Sequence, residues 1–197
     1  VVKKLLADGV MGIILKLSKP ENPALKFDMS CALYALSRSA DPLKVLQWDG
    51  VDVMYWLSAH DCLNMSDPIR RNVTRALRNF SASGINGSGS VALAKEERSM
   101  TLLRALGQST NEDVLWQVSG AMYNMLGCPE SQELLLTVGG VGMLLDLAAS
   151  GYTAVRHVCS ACLHMCPPDA MPDLSDPAAL SLVLCLLEVD GEKFGEL

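Results

Sequence analysis

The amino-acid sequence predicts an all-α fold stacked from a repeating unit of roughly forty residues, and three observations carry that expectation. A short helical motif returns four times at a near-constant interval. A second pattern, a glycine break followed by an apolar helix, recurs out of phase with the first. The composition suits helix-on-helix packing: half of the 197 residues are hydrophobic, yet aromatics make up only 5%, so Leu, Ala, Val and Met fill the core. A β-sandwich would draw on β-branched and aromatic residues instead.

In chain order, the first element is MGIILKLS, which follows Asp8-Gly9-Val10. Next comes Ala32-Leu33-Tyr34-Ala35-Leu36, the first copy of the helical motif. Residues 42–47 (PLKVLQ) form a short helix opened by Asp-Pro, and proline in a first turn marks a helix start. Asp49-Gly50-Val51 then leads into DVMYWLSAH, 41 residues after Gly9. Residues 58–68 (SAHDCLNMSDP) make a long polar connection to the second copy, Ala76-Leu77-Arg78-Asn79-Phe80, within the helix that holds TRALRNFS. Residues 81–90 (SASGINGSGS) are rich in Gly and Ser and read as a flexible insertion.

The second half repeats the plan. Glu96-Glu97-Arg98 precedes SMTLLRALGQS without a glycine, and Ala121-Met122-Tyr123-Asn124-Met125 is the third motif copy. Residues 131–137 (SQELLLT) form a short helix after Cys-Pro-Glu, Gly139-Gly140-Val141 introduces GMLLDLAAS, and Ala161-Cys162-Leu163-His164-Met165 is the fourth copy. The copies begin 44, 45 and 40 residues apart, at positions 32, 76, 121 and 161. Each places a small residue first, an apolar one next and another apolar one three further on, the buried stripe of a helix. The expected core is Ala32, Leu33 and Leu36; Ala76, Leu77 and Phe80; Ala121, Met122 and Met125; and Ala161, Cys162 and Met165.

A unit of short helix, glycine break, second helix, polar loop and longer third helix resembles the armadillo repeat. Gly-Val before the second helix and Leu-Arg-Asn-Phe-Ser at the end of the third, Leu77 to Ser81, are similar to that family's consensus. Asn79 and Asn124 stand at the family's third-helix asparagine; Ala35 and His164 occupy it in the other copies, and Arg75 and Gly120 stand where importin-type members carry tryptophan. The resemblance implies a right-handed α-solenoid of three-helix repeats. It spans residues 1–197 as a single array of about four units with a partial one at each end. The opening VVKKLLADGV begins inside an apolar pattern, and the chain is read as a piece of a longer protein.

The resemblance also implies that the third helices line a concave groove. Its expected contact residues are Arg71 or Asn72, Arg75 and Asn79, then Gln117 and Asn124 (with Gly120 between them), then His157, Ser160 and His164; the first unit offers Asp28, Cys31 and Ala35. A side-chain amide carries a donor and an acceptor together, so Asn79 and Asn124 suit the backbone of an extended peptide. Arg71 and Arg75 suit an acidic side chain. Arg71, Arg75 and Arg78 share one helical face, a local positive patch on a chain of net charge −6. The bland alternative is that the asparagines bond neighbouring loops and the arginines make a solvated face.

Other chemistry is set aside. An acidic chain without a basic run is a poor phosphate-backbone binder, so nucleic acid is not an expected partner. No stretch of 18 apolar residues exists, and the longest run, 178–187, is too short to span a membrane. His157, Cys159, Cys162, His164 and Cys166 crowd one segment, but a single helix cannot wrap ligands tetrahedrally around an ion. The glycines of 84–89 lack a following Lys-Ser or Lys-Thr. His60-Asp61 has no accompanying nucleophile. No enzyme activity, cofactor, metal or small-molecule substrate is expected. The seven cysteines, irregularly spaced in apolar contexts, read as buried free thiols in a reducing compartment. Four glycosylation sequons begin at Asn64, Asn72, Asn79 and Asn86, but Asn72 and Asn79 fall inside a predicted helix.

The expected function is therefore a cytoplasmic protein–protein interaction scaffold that binds an extended segment or helix of a partner along the groove. The alternative is a structural subunit of a large assembly, cytoskeletal or ciliary in setting, that uses outer and end surfaces; Trp48 and Trp56 outside the core stripes would favour it. A third reading is an armadillo regulatory region attached to a catalytic domain in the rest of a longer protein.

Overall fold

The computed structural model describes residues 8–38, 42–58 and 67–170, with Lys4 and Leu186. His60-Asp61, the Asn64 sequon, Cys62, Cys185, residues 59–66 of the 58–68 connection and most of the 178–187 run lie outside the described residues. The described chain is helical, with no strand among the described residues. The helices are α1 Val10–Ser18, α2 Pro23–Ser37, α3 Pro42–Val45, α4 Val51–Ser58, α5 Asp67–Ser81, α6 Ser88–Ala94, α7 Glu97–Gly107, α8 Glu112–Leu126, α9 Pro129–Thr137, α10 Gly140–Ala148 and α11 Thr153–Met165.

Local chemistry starts these helices where the sequence does. Asn22 caps α2: its Oδ1 accepts from the backbone N–H of Ala24 and Leu25 at 3.1 and 3.2 Å, and Pro23 occupies the first turn. Asn111 caps α8 through Val114 at 3.4 Å, with Glu112 and Asp113 placed against the positive end of the helix dipole. Pro129 opens α9. The breaks before α1 and α10 are made by Gly9 and Gly139 at φ 78° and 84°. Before α4 the left-handed residue is Asp49, at φ 63°, and not the adjacent glycine.

Packing follows a period of three helices. The long helices α2, α5, α8 and α11 pack one against the next. So do α1, α4, α7 and α10, and a third row is made by the short helices α3, α6 and α9. Each helix thus meets the one three places later, and the buried side chains fill the space between rows. Leu33, Ala76, Leu77, Phe80, Ala121, Met122, Met125 and Cys162 are fully buried, as are Met54 and Leu57 of α4. Three expected core residues, Ala32, Ala161 and Met165, are only partly buried.

The Gly/Ser-rich segment 81–90 corrects the expectation of a flexible insertion. It holds a short 3-10 turn, Ile85–Gly87, and the first turn of α6. Gly89 is buried, its N–H bonds the Ser83 carbonyl at 3.0 Å, and a Cβ there would collide with the Phe80 carbonyl oxygen. Ser90 Oγ donates to the Ser81 carbonyl at 2.8 Å. The small residues let the start of α6 pass close to the end of α5; they are packing residues, not a linker.

Candidate functional site

The row of α2, α5, α8 and α11 carries all the expected groove residues, and the structure sorts them by role. Asn79 Nδ2 donates to Ser37 Oγ at 2.9 Å and Asn124 Nδ2 to Ser81 Oγ at 2.9 Å. Asn72 does the same with Ser30 at 3.0 Å. Each serine passes a bond onward within its own helix: Ser30 to the Phe27 carbonyl, Ser37 to Tyr34 and Ser81 to Arg78, at 2.7, 2.7 and 2.8 Å. The amide N–H groups of both predicted clamp residues therefore stitch neighbouring helices together. Asn124 Nδ2 also reaches the Arg78 carbonyl at 3.5 Å, so both of its N–H donors face the neighbouring helix, whereas Asn79 keeps one N–H beside its carbonyl oxygen.

Gln117 also changes role. It is 8% exposed, so it is not a surface contact. Its Nε2 donates to Asp113 Oδ1 at 3.3 Å and its Oε1 accepts from Arg78 Nη1 at 3.4 Å. Asp113 in turn holds Arg75 at 2.8 Å and Arg71 at 3.8 Å. One carboxylate thus serves two arginines, and through Gln117 it orients a third. The two ion pairs are partly exposed, where such pairs contribute little stability, on the order of 0–1 kcal/mol. Their effect here is to fix direction. The face of α5 keeps an excess of positive charge.

Arg78 is the arginine of this set without a carboxylate among the described residues. Its guanidinium lies over the Trp116 ring, 4.2 Å from the centroid. It also covers Gly120, where a Cβ would stand 2.7 Å from Nε. A guanidinium over an indole face is attracted by the ring while its N–H donors stay able to bond elsewhere. Beside it opens a cleft of about 360 Å³, lined by Arg78, Trp116, Tyr123, Asn124, His157 and Ala161, with Gly120 and Val158 between them. Tyr123 is 46% exposed, an aromatic side chain standing at an open surface.

His157 belongs to this cleft, whereas His164 is exposed and outside its lining. Ser160, named from the same spacing, is fully buried. The residues that spacing alone missed are Trp116 and Tyr123. Counting seven back from Asn124 selects Gln117; counting eight back selects Trp116. Two turns of α-helix fall between those counts, so the tryptophan was one residue from recognition.

The cysteines separate by environment. Cys128, Cys159, Cys162 and Cys166 are buried and free, while Cys31 is exposed, which corrects the expectation that it is buried. Burial pushes the Cys159 thiol up to about 12, and burial followed by its neighbours Cys159 and Cys166 raises Cys162 further. Cys159 and Cys162 face the core while His164 faces solvent. Among the described residues no group of three or more His, Cys, Asp and Glu side chains could hold a metal ion. Comparison with protein-family models, with characterised proteins and with solved structures finds no match to this chain.

Proposed function

We propose that this chain is a non-catalytic protein-interaction scaffold, an α-solenoid of armadillo-type three-helix units that receives an extended segment or a helix of a protein partner. The docking face is the row of α2, α5, α8 and α11. The observation that carries the reading is the cleft between α5, α8 and α11, where half-buried Arg78 and Trp116 stand beside the exposed ring of Tyr123. Aromatic and arginine side chains at an open surface are the residue types that dominate protein-interface energetics. The period-three packing of helices supports the solenoid. The free cysteines support a reducing compartment such as the cytoplasm.

A second reading rests on a different observation. Trp48 is 42% exposed beside α3, and Ile13 and Phe27 are 55% and 42% exposed on α1 and α2. These outer and end surfaces suit a fixed subunit of a larger assembly. A photo-crosslinking residue placed at position 123 or at position 48 separates the two readings in native extract. Discrete adducts from position 123, competed by excess unlabelled chain, support the groove. Adducts from position 48 alone would reject it in favour of the assembly subunit.

A further inference from the structure

The Arg78–Trp116 pair has chemistry more specific than a general groove. The Arg78 side chain is held from three sides: its guanidinium lies over the Trp116 ring, it sits over the missing side chain of Gly120, and Gln117 accepts a bond from one nitrogen. Five other arginines have a charged or carbonyl acceptor, Arg71 and Arg75 in Asp113, Arg98 in Asp52, Arg104 in the Val138 carbonyl at 2.6 Å and Arg156 in the Ala148 carbonyl at 3.2 Å, while Arg38 lies over the Tyr34 ring at the far end of the row. Arg78 has instead the neutral, long bond to Gln117. A planar fork held in place, with donors left over and an apolar cleft alongside, is the arrangement that binds a carboxylate in two-point fashion. Holding it beforehand removes the entropy cost of ordering a long side chain on binding.

Charge points to the same ligand. Three arginines share one face of α5 and a single carboxylate, Asp113, pairs with two of them, on a chain whose net charge is −6. Val158 and Ala161 of α11 and the ring of Tyr123 on α8 give the cleft an apolar part, with His157 also in its lining. Resting on the groove reading above, we infer that this cleft is a specificity subsite for an acidic residue, Asp or Glu, of an extended partner peptide. The carboxylate seats on the Arg78 fork. An apolar side chain on the same face of the peptide, two residues away, enters against Tyr123 and Val158, since alternate residues of an extended chain point the same way.

The test is a selection of displayed random peptides on the full chain, with binders resynthesised and measured by fluorescence anisotropy. The expected binders carry Asp or Glu, and replacing it with Asn or Gln weakens binding by about tenfold or more, the scale of a lost charge-assisted hydrogen bond. Arg78→Gln gives the same loss, and the peptide and protein changes together cost no more than either alone. Gly120→Ala retains the charge but pushes the guanidinium off Trp116, and is expected to weaken binding several-fold. Lys16→Gln, an equal change of charge on the distant α1, leaves affinity unchanged. Circular dichroism checks that each variant is folded.

Binders that lose affinity with Tyr123→Ala yet contain no acidic residue, or ignore Arg78→Gln, would overturn the subsite and leave the groove reading standing. Equal losses with Arg78→Gln and Lys16→Gln would reduce the effect to net charge and overturn it as well. A phosphoserine peptide that binds where the Glu peptide does not would replace the carboxylate with phosphate. A selection that yields only binders indifferent to both Tyr123→Ala and Arg78→Gln, or none, would sink both readings.

Discussion

Asn79 donates to Ser37 across the interface of α2 and α5 at 2.9 Å, and Ser37 hands a second bond to the Tyr34 carbonyl at 2.7 Å. The relay is repeated by Asn72 and Ser30 one pair of turns away, and by Asn124 and Ser81 at the next interface. The asparagines of α5 and α8 are therefore joints between neighbouring helices of the row before they are anything else.

That joint predicts a stability effect independent of any partner. Asn79→Ala should destabilise the chain by about 1 kcal/mol, the net worth of a partly buried hydrogen bond. Ser37→Ala should cost a similar amount. Because both remove the same bond, the double variant should cost less than the sum, with a coupling of about 0.5–1 kcal/mol. Urea unfolding of the four members of the cycle measures it. Strict additivity would show that the bond carries no net energy.

The helical motif and its period were readable because burial leaves a strong pattern: Leu77 and Phe80, or Met122 and Met125, repeat with helical spacing and are fully buried. The roles of polar residues were less readable, since the same spacing serves a clamp and a joint. Asn124 was found but its partner, Ser81, lies 43 residues away, and no local pattern announces it. Trp116 was missed by a one-residue choice of helical register. The Gly/Ser segment misled because small residues serve both loose linkers and tight crossings; only the closeness of Gly89 to the α5 carbonyls tells them apart.

That segment yields a contrast between two neighbours. Gly89→Ala forces a Cβ into the Phe80 carbonyl oxygen, where backbone must move, and is expected to cost upwards of about 3 kcal/mol. Ile85 is 84% exposed on the same segment, and Ile85→Ser should change stability by no more than about 0.5 kcal/mol. Thermal unfolding of the two variants separates packing from linker. Two neutral substitutions would restore the flexible insertion.

The breaks before α4 and α10 make a second contrast, because one backbone conformation is held by different residues. Gly139 is left-handed with open space around it, so Gly139→Ala should cost only the strain, about 1 kcal/mol. Gly140→Ala would place a Cβ 2.7 Å from the Leu135 carbonyl oxygen and should cost more, about 2–3 kcal/mol. Asp49 holds the left-handed position before α4, so Asp49→Gly should run the other way, gaining up to about 1 kcal/mol. Denaturation midpoints should rank Asp49→Gly above wild type, then Gly139→Ala, then Gly140→Ala. The sequence paired Gly9 with Gly50; by backbone conformation Gly9 pairs with Asp49, and a reversed ranking would undo that alignment.

The buried thiols predict how stability depends on alkaline pH. Cys159 is held protonated in the folded chain, its thiol raised from 9.0 to about 12, and Cys162 is raised further, both chiefly by burial. Between these limits the unfolded chain has lost the protons that the folded chain keeps. Fewer protons bound in the unfolded state means that stability falls as pH rises. Below pH 9 the contribution of these groups is constant. Above it, each removes stability with a limiting slope of about 1.4 kcal/mol per pH unit. Urea midpoints of wild type and a Cys159→Ser, Cys162→Ala variant, compared from pH 8 to pH 11, isolate this term from lysine and tyrosine titration. The variant starts lower, since Cys159→Ser puts a hydroxyl into an apolar site, but the gap should narrow as pH rises. A constant gap across that range would mean that the two thiols ionise alike in both states and that their site is wetter than its packing implies.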